Sequence, residues 1–156
     1  MNNDMNLLCF RVSRRAIGLA VFSGVTLECT FVRELTSEAR SAGQSARAFA
    51  RWALETFPTD AILIEQPVTQ LGSRARELDR ILRDELAVIG KPLAELSSRD
   101  VLAPRDQPSR SPRQELRLMA RMLWPALLRR PCNPVALDAA VLGLYRQTVD
   151  LLGSKS

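Results

Sequence analysis

The sequence predicts an α/β protein built on a mixed sheet, in which an antiparallel three-strand meander is extended by parallel strands and flanked by helices. Three observations predict it. Two apolar runs, residues 7–13 and 16–23, and a loosely alternating third, Val25 to Leu35, follow one another with only Ser13-Arg14-Arg15 and Ser23-Gly24 between them, the spacing of hairpin-linked strands. A helix-period segment separates this group from a fourth apolar run, Ala61-Ile62-Leu63-Ile64, so the chain crosses over and returns parallel to its first strand. Beyond that run, helical and extended patterns alternate, and the chain closes on helices.

In the third strand, Val25, Leu27, Cys29 and Phe31 fall on one side and Thr26, Glu28 and Thr30 on the other, so it is half exposed. After a polar linker, residues 36–44, a helix is expected over about 42–57. There Ala46, Phe49, Ala50, Ala53 and Phe57 share a face, with Arg47, Arg51 and Glu55 opposite. Pro58-Thr59-Asp60 stops it, and the fourth run ends on a lone carboxylate, Glu65, before Pro67. A short apolar run closed in this way reads as a strand buried on both faces. Glu65 either marks the strand's exit into solvent or stands where open α/β sheets place their ligands. A second helix is expected over 73–89, with Leu78, Ile81, Leu82 and Leu86 inward, stopped by Gly90-Lys91-Pro92 and followed by a short strand at 93–96. Residues 103–112 are rich in Pro, Ser and Arg without periodicity and read as a mobile basic loop. Ser111-Pro112-Arg113-Gln114 is a helix start, Pro125 ends or kinks that helix, and Asn133-Pro134 caps a last one running to about 152.

The length of 156 residues fits a single domain, 1–156, with a real core, and 46% hydrophobic against 25% charged residues is ordinary for a soluble protein. No apolar run reaches the roughly 20 residues of a membrane span, and the first residues carry no basic region or cleavage site, so a cytoplasmic protein is expected. Cys9, Cys29 and Cys132 are odd in number and widely spaced, as free thiols in a reducing compartment are. The absence of histidine removes the commonest general base, Ser/His and Cys/His nucleophiles and histidine metal sites. The net charge of +5 rests almost wholly on arginine, with Lys91 and Lys155 the only lysines. Arginine's planar fork suits phosphate, which favours a nucleic-acid partner.

The order β-β-β-α-β-α-β-α-α, a meander extended by parallel strands, is an architecture that the ribonuclease H superfamily shares with other mixed α/β sheets. Within that superfamily, the chain resembles Holliday-junction resolvases of the RuvC type over nearly its whole length. Phe10-Arg11-Val12-Ser13-Arg14 through Gly18 is similar in layout to that family's first strand and turn, Ile-Asp-Pro-Gly followed by a glycine in the second strand. Ala61-Ile62-Leu63-Ile64-Glu65-Gln66 resembles its second acidic motif. Ser97-Ser98-Arg99-Asp100-Val101, followed by Arg113-Gln114, resembles its Pro-Arg-x-Val and the basic helix after it. Leu137-Asp138-Ala139-Ala140-Val141-Leu142 is similar to its acidic last helix.

The resemblance implies a site of about four carboxylates holding two magnesium or manganese ions roughly 3.5–4 Å apart around a phosphate. Carried over residue by residue, Glu65 matches the second acidic position and Asp138 one of the two on the last helix. The other acid of that helix falls on Val135 or Val141, and the aspartate of the first strand falls on Arg11. An arginine there is expected to project beside Glu65, pairing with Glu65 or Asp138 in place of a cation; the alternative is a surface residue on a strand aligned one place out. Asp138 shares a face with Val141, Leu142 and Tyr145 and needs a partner if buried, Arg11 being the candidate; early in a helix, the macrodipole alone would also favour it.

For nucleic acid, Arg113, Arg117 and Arg121 recur at i, i+4 and i+8 opposite Leu116, Met119, Ala120 and Leu123, with Arg110 in the preceding loop and Arg14 and Arg15 in the first turn. Arg74, Arg76, Arg80 and Arg83 read instead as a solvated face shared with Glu77, Asp79 and Asp84. Phe49, Trp52 and Phe57 belong to a core-facing helix, and residues 68–72, where such resolvases often place a probing aromatic, have none. The expectation is a nucleic-acid-binding pseudo-nuclease for DNA, including branched DNA, in recombination, repair or a mobile-element complex, with no cofactor. The alternatives are an active divergent resolvase using Glu65, Asp138 and a third ligand with magnesium or manganese, and a scaffold subunit on a retired nuclease fold. A homodimer is implied by the resemblance; Leu78, Leu82 and Leu86 serve either that interface or the core.

Overall fold

A computed structural model describes residues 5–66, 73–88, 90–97, 112–129 and 132–153. Strands β1 (Asn6–Val12), β2 (Ala16–Ser23) and β3 (Thr26–Glu34) form the meander, followed by α1 (Ala39–Thr56), β4 (Ala61–Gln66), α2 (Ser73–Ala87) and β5 (Leu93–Ser97). Helices α3 (Pro112–Leu123), α4 (Pro125–Leu128) and α5 (Pro134–Gly153) complete it. The sheet order is β3-β2-β1-β4-β5, with β1 antiparallel to β2 and parallel to β4, as the element pattern predicts. The basic loop expected near 103–112 and its serine cap, Ser111, lie outside the described residues, as do residues 67–72.

Strand alternation divides the core into two layers. Leu8, Phe10, Val12, Ile17, Leu19, Ile62 and Ile64 face α1 and α2. Cys9, Ala20, Phe22 and Leu63 face α3, α4 and α5. Leu78, Leu82 and Leu86 are buried in the first layer, so these three leucines belong to the core. Phe31, Phe49, Trp52 and Phe57 close the edge between α1 and β3, with Phe31 and Trp52 edge-on at 5.0 Å.

Two departures from the sequence pattern have local causes. Helix α1 begins at Ala39, three residues early, because its first turn looks into solvent and carries no apolar signal; Ser41 Oγ donates to Glu38 Oε2 there at 3.1 Å. In β3, Leu27 lies opposite Phe22 but Cys29 lies opposite Val21, leaving Glu28 as the extra residue of a β-bulge. The bulge reverses the alternation: Leu27 joins the α5 layer while Cys29 and Phe31 join the α1 layer, so the three do not share a side.

Helix α5 lies between the sheet and α3 and is buried continuously from Ala136 to Leu144. Its close seating depends on two glycines. A Cβ at Gly18 of β2 would collide with the Val135 carbonyl, and one at Gly143 would enter the Phe22 ring. Asn133 caps the helix as its sequence predicts, its Oδ1 accepting from the Val135 N–H at 2.9 Å.

Candidate functional site

Phe10 stands opposite Ile64 in the parallel β1–β4 ladder, so the next residue on each strand, Arg11 and Glu65, emerge together at the C-terminal edge of the sheet. Both lie in the alternation phase of Cys9 and Leu63, on the face covered by α5. Arg11 Nη1 and Glu65 Oε2 form an ion pair in which the Glu65 side chain is fully buried and that of Arg11 is 18% exposed. Across the antiparallel ladder Arg11 faces Gly18, the residue on which the first turn of α5 rests. That seat brings Asp138, in the second turn of α5, to the same layer.

Asp138 is buried, and Arg117 of α3, which the sequence pattern places on a basic outer stripe, pairs with it. Arg117 Nε donates to Oδ1 at 2.7 Å and Nη2 to Oδ2 at 2.8 Å, a parallel two-bond fork. The bond to Asp138 pushes the Arg117 guanidinium above its ordinary value. This gives α3 an orientation the periodicity did not predict. Leu116 and Ala120 are buried, Arg117 is held inward on Asp138, and the Nε of half-buried Arg121 is buried without a hydrogen-bond partner. The solvent face of α3 instead carries Leu118, Met119, Met122 and Leu123. The side chain of Arg113, and Arg110 altogether, lie outside the described residues. Of the two positions where the fourth acid was sought, Val141 is buried in the core and Val135 lies over Gly18.

The β1–β2 turn holds Arg14 and Arg15 in the open, and several hydrogen bonds fix its backbone. Ser13 N–H and Oγ donate to the Ala16 carbonyl at 2.9 Å each, and Ser13 Oγ accepts from the Ala16 N–H at 3.1 Å. The Arg15 carbonyl accepts from the Leu35 N–H at 2.7 Å. Arg74 of α2 donates from Nε to the Arg14 carbonyl at 3.1 Å and from its two terminal nitrogens to the carbonyls of Ser37 and Thr36. Sequence reasoning placed Arg74 on a solvated helix face, because a residue that binds only backbone carbonyls leaves no pattern of charge or spacing. Arg11, Val12, Ser13, Arg14 and Arg15 line an open cleft of about 370 Å³ at this end of the sheet.

No protein-family model and no curated protein matches the sequence. Solved structures do match it. Thermus thermophilus RuvC superposes with a TM-score of 0.74 at 17% identity, covering 96% of this chain and 97% of that one. The same organism's RuvC in complex with a Holliday junction substrate gives 0.72 at 16% identity, covering 96% of each chain. The fold is that of RuvC. The yeast mitochondrial Holliday junction resolvase Ydc2 shares it, with a TM-score of 0.65 at 13% identity over 96% of this chain and 83% of that one.

A RuvC-like fold raises the question of divalent cations, and the donors present do not fit a pair of them. Glu65 and Asp138 each already accept a guanidinium, and the first-strand position holds a cation of its own, Arg11. Among the described residues no three Cys, Asp or Glu side chains gather where an ion could sit. A cation bound by Glu65 or Asp138 would compete with the arginine that each of them already holds. Among the described residues, no helix is long and apolar enough to cross a membrane.

Proposed function

We propose that this chain is a RuvC-like nucleic-acid-binding protein with a degenerate nuclease centre, acting on DNA, including branched DNA, in recombination, repair or a mobile-element complex. The observation that carries the reading is the Arg11–Glu65 ion pair at the edge of the sheet. A side chain that already neutralises the carboxylate competes with the ions that a two-metal hydrolysis needs at that point. The basic turn at Arg14 and Arg15, and the solved complex of Thermus RuvC with a Holliday junction substrate, support DNA as the partner.

The test is cleavage and gel-shift of a four-way DNA junction with magnesium or manganese, comparing wild type with Arg11→Asp and Glu65→Gln. Binding without cleavage is the expected result, and cleavage gained in Arg11→Asp would locate what the site has lost. Cleavage by wild type that disappears in Glu65→Gln would instead make this an active resolvase. One observation favours a second reading, a scaffold subunit for protein partners: the apolar solvent face of α3, Leu118, Met119, Met122 and Leu123. That reading predicts no junction binding at any salt concentration.

A further inference from the structure

The cleft at the end of β1 is rich in arginine, as an anion site is, where the resemblance to RuvC-type resolvases implies a cation site. Three arginines, Arg11, Arg14 and Arg15, are among the residues that line it, and Glu65 pairs with Arg11 behind it. We infer that the cleft binds a backbone phosphodiester of DNA directly, with Arg11 as a fixed cation bridging the buried Glu65 and the phosphate, and that this contact needs no divalent ion. The inference rests on the nucleic-acid reading above and assigns the chemistry of its site.

Three features support it. Arg11 is anchored at its inner side by Glu65 and remains partly exposed, and a guanidinium has five donors in a rigid fork, enough to serve two oxyanions at once. The turn bearing Arg14 and Arg15 is pre-shaped: Ser13, Leu35 and Arg74 fix its backbone, so binding a phosphate orders side chains only. A divalent ion arriving at the cleft meets net positive charge, whereas a phosphodiester meets its complement.

The experiment is equilibrium binding of a fluorescent four-way DNA junction and of a matching duplex, titrated across salt in EDTA and again in magnesium. The variants are Arg14→Ala/Arg15→Ala and Arg11→Met/Glu65→Met. The second removes a cation and an anion together, so net charge is unchanged and no buried carboxylate is left unpaired; circular dichroism checks its fold. Arg51→Met/Glu85→Met, a charge-neutral exchange of a pair linking α1 and α2, is the control and is expected to bind as wild type does. Wild type is expected to bind in EDTA, with magnesium not required and acting only as a competing counterion. Arg11→Met/Glu65→Met is expected to bind roughly tenfold more weakly, the worth of a charge-assisted hydrogen bond. Its salt dependence should be shallower by about one phosphate, and that of Arg14→Ala/Arg15→Ala by up to about two. Unchanged affinity and salt dependence in Arg11→Met/Glu65→Met would overturn the clamp while leaving nucleic-acid binding intact. Binding that requires magnesium and is lost in Glu65→Gln would overturn it in favour of a cation site. Failure of wild type to bind either DNA would remove the nucleic-acid reading itself, and the clamp with it.

Discussion

Arg11 and Glu65 depend on each other unequally. The carboxylate is fully buried and the guanidinium partly exposed, so removing Arg11 strands a desolvated charge, while removing both leaves an apolar contact. Arg11→Met is therefore expected to lower unfolding stability by about 3 kcal/mol, and Arg11→Met/Glu65→Met by clearly less, measured as urea midpoints. Equal losses in the two variants would show that the pair carries no coupling. The sequence, through its resemblance to the resolvases, offered Glu65 or Asp138 as partner for Arg11; the parallel ladder sets Arg11 and Glu65 side by side, each one residue before the end of its strand. The Arg117–Asp138 pair was not legible, since nothing local says which of two arginine-bearing elements reaches a given helix. Asp79 was also misread as solvated: it is buried on α2, with one oxygen accepting from Arg83 Nε at 2.6 Å and the other unpartnered. Burial pushes its carboxyl above the ordinary aspartate value, against the lowering effect of Arg83. A folded value above the unfolded one means that the native state holds its proton longer. This group's contribution is thus favourable below the ordinary aspartate value and is lost as pH rises through the raised one. Asp79→Asn is expected to stabilise the protein at neutral pH by up to about 1 kcal/mol, with the gain shrinking toward pH 4 in parallel urea titrations.

At the scale of elements, the seating of α5 decides where the site lies. Gly143 admits the Phe22 ring and Gly18 admits the Val135 carbonyl, so the helix lies closer to β2 than side chains would allow. Gly143→Ala is expected to cost about 1–3 kcal/mol through overpacking, and Phe22→Leu in the same chain to recover part of it, since a smaller partner removes the clash. No recovery would mean that the strain lies elsewhere. The existence, order and type of the elements could be read from sequence because hydrophobic periods of 2 and 3.6 survive in the strands and in α1 and α2. Three features escaped it for the same reason, a pattern that is locally ambiguous. The Glu28 bulge shifts a period-2 strand by one residue without altering composition. Helix α5 is buried continuously from Ala136 to Leu144, so that stretch has no exposed face to fix its rotation. Helix α3 has arginines beside its apolar stripe, and their aliphatic stems let them turn toward the core as readily as away from it.

Across the whole molecule, the question is what neutralises the carboxylates gathered on the α5 face of the sheet. In a metal-dependent site the ions do so, and the folded state is then stabilised by ligand. A site with a Kd near 1 mM would gain about 1.4 kcal/mol from 10 mM magnesium or manganese, which for a chain of this size is a rise of roughly 3–5 °C in Tm. Here the counter-charges are covalent parts of the chain: Arg11 enters from β1 and Arg117 from α3, elements that pack on α5 from opposite sides. If the site is degenerate as proposed, these side chains do the work of ions and folding needs no solute. The Tm of wild type is therefore expected to move by less than about 1 °C between EDTA and 10 mM magnesium or manganese. Arg11→Asp reverses the situation by setting a second carboxylate beside the buried Glu65. Its Tm should fall in EDTA through like-charge repulsion and recover by several degrees when manganese is added. A wild-type Tm that rises with manganese as steeply as that of Arg11→Asp would show that the arginines yield to cations, and would overturn the reading of the site as degenerate.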